Sequence, residues 1–304
     1  MLYCFRRFCS ENRPFNVPKT AQREKRMHKK TISVLIALVI LLGTTMPAAA
    51  ITGGQPDGNR HPYGALLLVE GTTFCSGTLI DEDVVLTAGH CTSFWETLDP
   101  EENPVLVTFD SVAQVDENWE ITGGTWYTVD QIITHPDYDD AAWPFTPDYG
   151  IVILSEPVVG ITPADLPTAN LLDPIVEGNG QTSQRFVDVG YGINGVTMDI
   201  KPYRPNVDWT RKFSVQRFNP SNGAVGTLDP LWLILQNVPS KNKGGACGGD
   251  SGSGVFLEGT DTIVAVHTGG YRLGYNGYLC GRMTSLNHRI DDPTILNWIL
   301  GFVD

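Results

Sequence analysis

The sequence predicts an all-β fold of the sandwich or barrel type. Two features of the chain point there. Short apolar stretches recur between turns rich in Gly and Pro, and long helical periodicity is nearly absent after residue 50. The stretches are 65–69, 78–80, 84–87, 105–109, 151–154, 186–189, 232–235, 254–257 and 263–266, and their Val, Ile, Thr and aromatic content suits strands. A helix is expected only at the end, over 294–302. There Ile295, Trp298, Ile299 and Phe302 fall on one face, Asp291 or Asp292 can cap the start, and Pro293 suits the first turn.

Residues 1–50 read as a separate object. Residues 27–50 open on Met-His-Lys-Lys, continue into an apolar run over 32–42 and end in Met46-Pro47-Ala48-Ala49-Ala50. A basic start, a short apolar core and a small-residue ending are the parts of a secretory signal peptide. The run is too short for a membrane-spanning helix, which needs about 20 residues. Residues 1–26 are basic, and Met27 is an equally natural start. A secreted, extracellular chain over 51–304 is therefore expected, with no membrane contact once the leader is gone. Its halves divide near 172, and the Pro/Asn/Gly-rich stretch 163–181 is the crossover.

After residue 50 there are 12 Lys/Arg against 32 Asp/Glu, a net charge of about −20. Such a surface repels nucleic acid and anionic membranes, so neither is expected as a partner. The acidic, polar stretch 110–124 reads as a solvated surface loop. Four cysteines remain, Cys75, Cys91, Cys247 and Cys280. An even number in an exported chain suggests two disulfides, with three pairings open.

Three separated segments carry chemistry: Leu86-Thr87-Ala88-Gly89-His90-Cys91, then Pro147-Asp148-Tyr149-Gly150-Ile151-Val152-Ile153-Leu154, then Cys247-Gly248-Gly249-Asp250-Ser251-Gly252-Ser253-Gly254. A serine hydroxyl is a poor nucleophile at neutral pH. A neutral imidazole can take its proton and return it to the leaving group, and a carboxylate on the other ring nitrogen fixes the tautomer. His90 beside a cysteine could also be a core histidine or a metal ligand, but no pair at zinc-like spacing accompanies it, so neither metal nor cofactor is expected. Asp148 has local rivals in Asp137, Asp139 and Asp140; the apolar run after Asp148 sets it apart.

In the order His, Asp, Ser, these segments resemble the chymotrypsin/trypsin family of serine proteases. The resemblance extends to Phe74-Cys75-Ser76-Gly77-Thr78-Leu79-Ile80, His135-Pro136, Gly190-Tyr191-Gly192 and Trp298-Ile299. It implies two six-stranded antiparallel β-barrels with a C-terminal helix, acting as a monomer on protein or peptide substrates. It implies Ser251 as nucleophile, His90 as base and acid, Asp148 as orienter, and the amides of Gly249 and Ser251 as the oxyanion hole. It pairs Cys75 with Cys91 and Cys247 with Cys280. The start Ile51-Thr52-Gly53-Gly54 resembles the family's activated terminus, whose ammonium would pair with Asp250; removal of the leader after Ala50 is expected to create it.

For the substrate pocket, the resemblance places Gly245, Ala246, His267, Thr268, Gly269, Gly270 and His288. Gly245 stands where trypsin-like members hold an aspartate, so Arg or Lys before the cut bond is not expected. His267 and His288 fall where glutamate-specific relatives carry histidines. An acidic residue and a small or apolar one both stay open. Ser253-Gly254 depart from the family's common Gly-Pro, and the polar stretch 197–222 is an insertion without an assigned role. A non-catalytic binding member of the family and an esterase are the competing readings. The first usually lacks a triad residue, and the second fits poorly with the chain order.

Overall fold

The structure is a computed structural model that describes residues 51, 54–143, 145–176, 183–193, 207–219, 231–236, 244–271 and 284–303. The leader, Cys280 and half of the stretch 197–222 lie outside the described residues.

Six strands close the first barrel: β2 (Gly64–Val69), β3 (Thr73–Leu79), β4 (Val84–Thr87), β5 (Leu106–Thr108), β6 (Tyr127–Thr134) and β7 (Gly150–Leu154), in the order β2-β3-β4-β7-β6-β5. β2 and β4 are buried along their whole length, which is why they read as unbroken apolar runs. Leu67, Leu79, Leu86, Ile151 and Val152 are among its residues buried in the hydrophobic core. The second barrel runs β8 (Arg185–Gly190), β9 (Lys212–Phe218), β10 (Trp232–Gln236), β13 (Thr284–Arg289), β12 (Ile263–Tyr271) and β11 (Gly254–Leu257), and closes by β11 pairing with β8. A two-residue strand β1 (Gln55–Pro56) attaches to β9. The segment just after the leader, expected within the first half, thus pairs with the second. The architecture is the two-barrel, antiparallel fold that the sequence predicts.

Among the described residues three short α-helices complete the order: α1 (Gly89–Trp95), α2 (Asp173–Val176) and α3 (Pro293–Leu300). Asp292 caps α3 by accepting from Thr294 N at 2.8 Å and Ile295 N at 3.3 Å, and Pro293 occupies its first turn. Ile295, Leu296 and Ile299 are buried, and the Trp298 ring lies 4.7 Å from that of His135.

Four strands, β1, β6, β9 and β13, are absent from the sequence expectation. β6 mixes half-buried and exposed positions without clean alternation, so it carries no apolar run. β9 reads Lys-Phe-Ser-Val-Gln-Arg-Phe and buries its Lys, Ser and Gln, the reverse of the usual pattern. It lies inside the stretch taken as an insertion without a role. Beside it, Arg211 is fully buried. Its Nε donates to Asp57 Oδ2 at 3.1 Å, Nη1 to the carbonyls of Gly64 at 3.0 Å and Phe109 at 2.8 Å, and Nη2 to that of Gly58 at 3.0 Å. Five donors on a planar fork let one arginine bind the two barrels and the N-terminal segment together.

The 110–124 stretch is not merely solvated. Trp119 sits edge-on to Phe74 and Trp209, with ring centroids 5.2 and 5.9 Å away. This aromatic cluster packs the loop onto β3.

Candidate active site

β4 and β7 pair antiparallel, with Thr87 opposite Gly150. That register brings the residues just beyond β4, where α1 begins, next to those just before β7. His90 and Asp148 meet there. Asp148 Oδ1 accepts from the His90 backbone N at 2.7 Å, and Oδ2 lies 2.8 Å from His90 Nδ1. Asp148 is fully buried. Burial pushes its carboxyl upward, but the hydrogen bonds and charge of His90 outweigh this and hold it below the usual carboxylate value. For His90 burial works downward, and the bond to Asp148 with the charges of Asp148 and Asp140 carries it above 6.5.

The rivals of Asp148 have other partners. Asp139 caps a short 3-10 helix, Asp140–Ala142, by accepting from Ala141 N. Asp140 accepts from the Tyr138 hydroxyl at 3.0 Å.

Ser251 sits in the turn between β10 and β11. Its carbonyl accepts from Ser76 N at 2.8 Å, and Gly252 N donates to the His267 carbonyl at 2.8 Å, so β3 and β12 clamp the turn from both sides. Gly249 has φ +89, and a side chain there would overlap the Phe74 ring. Among the described residues neither the Gly249 nor the Ser251 amide has a protein acceptor. Ser251 and His90 line the same cavity, of about 410 Å³, without a hydrogen bond between their side chains. Catalytic hydrogen bonds are often long before substrate binds.

The other walls of that cavity are Ala246, Cys247, Gly248, His267, Thr268, Gly269 and Gly270, joined by Asp140 and Trp143. The last two were missed by sequence reasoning. Trp143 has a signal in hindsight, because its ring covers Gly269, where a side chain would come within 3.3 Å. Gly245 is buried and is not a wall. His288 is not a wall either, so its expected contact with substrate is replaced. It is buried behind Asp148, with Nδ1 accepting from Asp148 N at 3.0 Å and its ring 3.9 Å from that of Trp232.

His267 is fixed by a hydrogen-bond chain. Asn287 Nδ2 donates to the Leu233 carbonyl, and Ser285 Oγ donates to Asn287 Oδ1 at 3.0 Å. Both atoms near His267 Nδ1 then act as acceptors, at 3.1 and 3.0 Å, so Nδ1 carries the proton. Nε2 has no partner among the described residues. Burial pushes this histidine's pKa below the usual 6.5. Thr268 Oγ1 is buried without a hydrogen-bond partner among the described residues.

Cys75 and Cys91 form a disulfide that ties β3 to α1 beside His90. They and His90 are the one His/Cys/Asp/Glu cluster of metal-site proximity among the described residues, but disulfide sulfurs are not thiolate ligands. Cys247 is also disulfide-bonded; Cys280, its implied partner, lies outside the described residues. Asp250 accepts from Gly192 N at 2.7 Å and Cys247 N at 2.8 Å. In the uncleaved chain Ile51 bears no free ammonium to meet it.

The family profile described as Trypsin matches residues 51–191. Over those residues the chain carries a trypsin-type domain of the chymotrypsin/trypsin-like serine protease family. It is 36% identical over 113 residues to a tryptase of Mus musculus, covering 36% of this chain and 38% of that one. It is 43% identical over 63 residues to granzyme-like protein 1 of Rattus norvegicus, covering 19% and 25%. It is 36% identical over 62 residues to serine protease sp-Eoc49 of Echis ocellatus, covering 20% and 24%. The matches thus span well under half the length of these trypsin-like relatives. A solved HL collagenase structure superposes with a TM-score of 0.59 at 18% identity, covering 83% of this chain and 97% of the other, and shares the fold.

Proposed function

We propose that this chain is a secreted serine endopeptidase that cuts protein or peptide substrates through an acyl-enzyme. Ser251 Oγ attacks the scissile carbonyl carbon while His90 Nε2 takes its proton. The amides of Gly249 and Ser251 meet the developing oxyanion. His90 then protonates the leaving amine, and water repeats the sequence in reverse to release the acid. Asp148 holds the Nδ1–H tautomer and steadies the imidazolium. The observation that carries this reading is the two-point hold of Asp148 on His90, whose ring faces the same cavity as Ser251. Peptide hydrolysis tests it: Ser251→Ala and His90→Ala should each lower kcat by roughly 10⁴–10⁶-fold. Undiminished hydrolysis in either variant overturns it.

Export is supported by the features of the leader, and among the described residues no helix is long and apolar enough to cross a membrane. Cleavage after Ala50 would free Ile51 to pair with Asp250. The two halves are taken as about 51–172 and 173–304, with β1 lent to the second.

Before the cut bond we propose an acidic residue in preference to a small or apolar one. An apolar side chain would leave His267 Nε2 and Thr268 Oγ1 without partners among the described residues. An arriving carboxylate can accept from both once His267 takes up a proton. Arg and Lys find no counter-charge at Gly245 or Ala246. A peptide panel checks this; cleavage after Leu or Phe with none after Glu contradicts it.

A further inference from the structure

The inner face of β8 and β9 carries an unusual load of charge. Asp188 on β8 is fully buried, accepting from Ser253 Oγ at 2.7 Å and Gln216 Nε2 at 3.2 Å. Two residues further, Gly190 faces the same way. A side chain there would run into Asp250 Oδ1, so the Asp250 carboxylate occupies the space that a residue at 190 would fill. Both carboxyls are pushed upward, first by burial; for Asp250 the neighbouring charge of Asp188 adds to it.

Lys212 stands directly opposite Gly190 in the β8–β9 register. Directly opposed residues of an antiparallel pair project to the same face. The lysine stem therefore rises beside the place held by the Asp250 carboxylate. Lys212 is 1% exposed, and its ammonium is paired with Asp208, four residues back on the approach to β9. The charges of Lys212 and Asp250 favour one another's ionised forms. On its other side Lys212 pairs with Pro56 of β1. The Gly54 turn packs on the carbonyls of both Ile51 and Phe213, so the future terminus lies just across β9.

We propose that Lys212 is an internal counter-ion for Asp250, a positioning residue that keeps the Gly249–Ser251 turn in working shape before any free amino terminus reaches it. This rests on the protease reading. A buried carboxylate without a cation is costly, and here two lie together. Lys212 offsets that cost in the uncleaved chain, and a freed Ile51 ammonium would share the task after cleavage. The chain should then be partly active as a precursor.

A two-by-two comparison tests this. One form begins at Ile51, and the other keeps Ala49 and Ala50 in front of it; each is made with Lys212 and with Lys212→Met. Fluorophosphonate labelling rate, kcat and KM are read for all four, and for Lys212→Arg in the extended form. Extended wild type should label. Lys212→Met should lower kcat in the extended form by about 10²-fold, as for loss of an oxyanion donor, with KM little changed, and Lys212→Arg should restore most of it. In the form beginning at Ile51 the loss should stay below tenfold. Equal losses in both forms, or no loss in the extended form, overturn the proposal. So does an extended wild type that fails to label while the Ile51 form labels. Labelling of no form sinks the protease reading and this inference with it. If Lys212→Met does not fold, Asp208→Asn serves. Freeing the lysine toward Asp250 should at least double the labelling rate of the extended form, and an unchanged or lower rate overturns the proposal.

Discussion

The backbone amide of Asp148 donates to His288 Nδ1 across 3.0 Å, so a histidine expected to meet substrate instead braces the carboxylate that holds His90. To accept that bond, His288 must keep Nδ1 unprotonated.

Replacing His288 with Leu leaves the buried Asp148 amide without its acceptor. We expect a stability loss of about 1–3 kcal/mol. kcat should fall more than KM rises, because the His90 ring loses its fixed orientation and not its contact with substrate. Urea unfolding and steady-state kinetics check both; an unchanged kcat would detach His288 from the site.

Activity should need neutral His90, whose pKa stands above 6.5. The acid limb of kcat/KM is therefore expected above pH 6.5, with activity lost as pH falls through it. Asp140→Asn removes one of the charges that raise it and should move the limb to lower pH. For stability the sign is opposite: the His90–Asp148 pair contributes fully below 6.5, and the contribution is lost as pH rises through the native value. A limb that shifts upward in Asp140→Asn would contradict the electrostatics.

Gly249→Ala puts a methyl group into the Phe74 ring at a backbone angle that L residues rarely adopt. We expect kcat to fall by about 10²–10³ through displacement of the oxyanion amides, in a protein that still melts cooperatively. Activity within tenfold of wild type would show that the turn tolerates the shift.

Much of this site is legible in the chain, and the parts that are not share a cause. His90, Asp148 and Ser251 sit in segments whose types and order announce them, and strands such as β4 and β11 read directly as apolar runs. Lys212, Arg211, Asp57 and Asp188 look like surface residues because hydropathy is local. For three of them a partner lies far away in sequence: Asp57 is 154 residues from Arg211, and Ser253 is 65 from Asp188. The placement of His288 fails for a related reason. A count along the chain fixes its position on β13, and only the packing of Trp232 and Tyr149 decides which way the ring faces.

Arg211→Met should test the interbarrel tie. It strips the buried Asp57 of its partner and leaves several carbonyls unmet, a cost of about 3–5 kcal/mol. Burial works to raise the Asp57 carboxyl, but the bonds and charge of His61, with the charge of Arg211, hold it below 3.8. A lowered carboxyl contributes stability above its unfolded value, lost as pH falls from 3.8 through the native one. Wild type should therefore lose urea resistance below pH 3.8 more steeply than Asp57→Asn. Parallel slopes would contradict the pairing.

The most direct test is labelling with a fluorophosphonate, followed by peptide mass mapping of the adduct. The chain beginning at Ile51 should carry one phosphonyl group, on Ser251, and His90→Ala should abolish it. A folded chain that takes up no label, or takes it on another residue, would contradict the central claim that His90 activates Ser251.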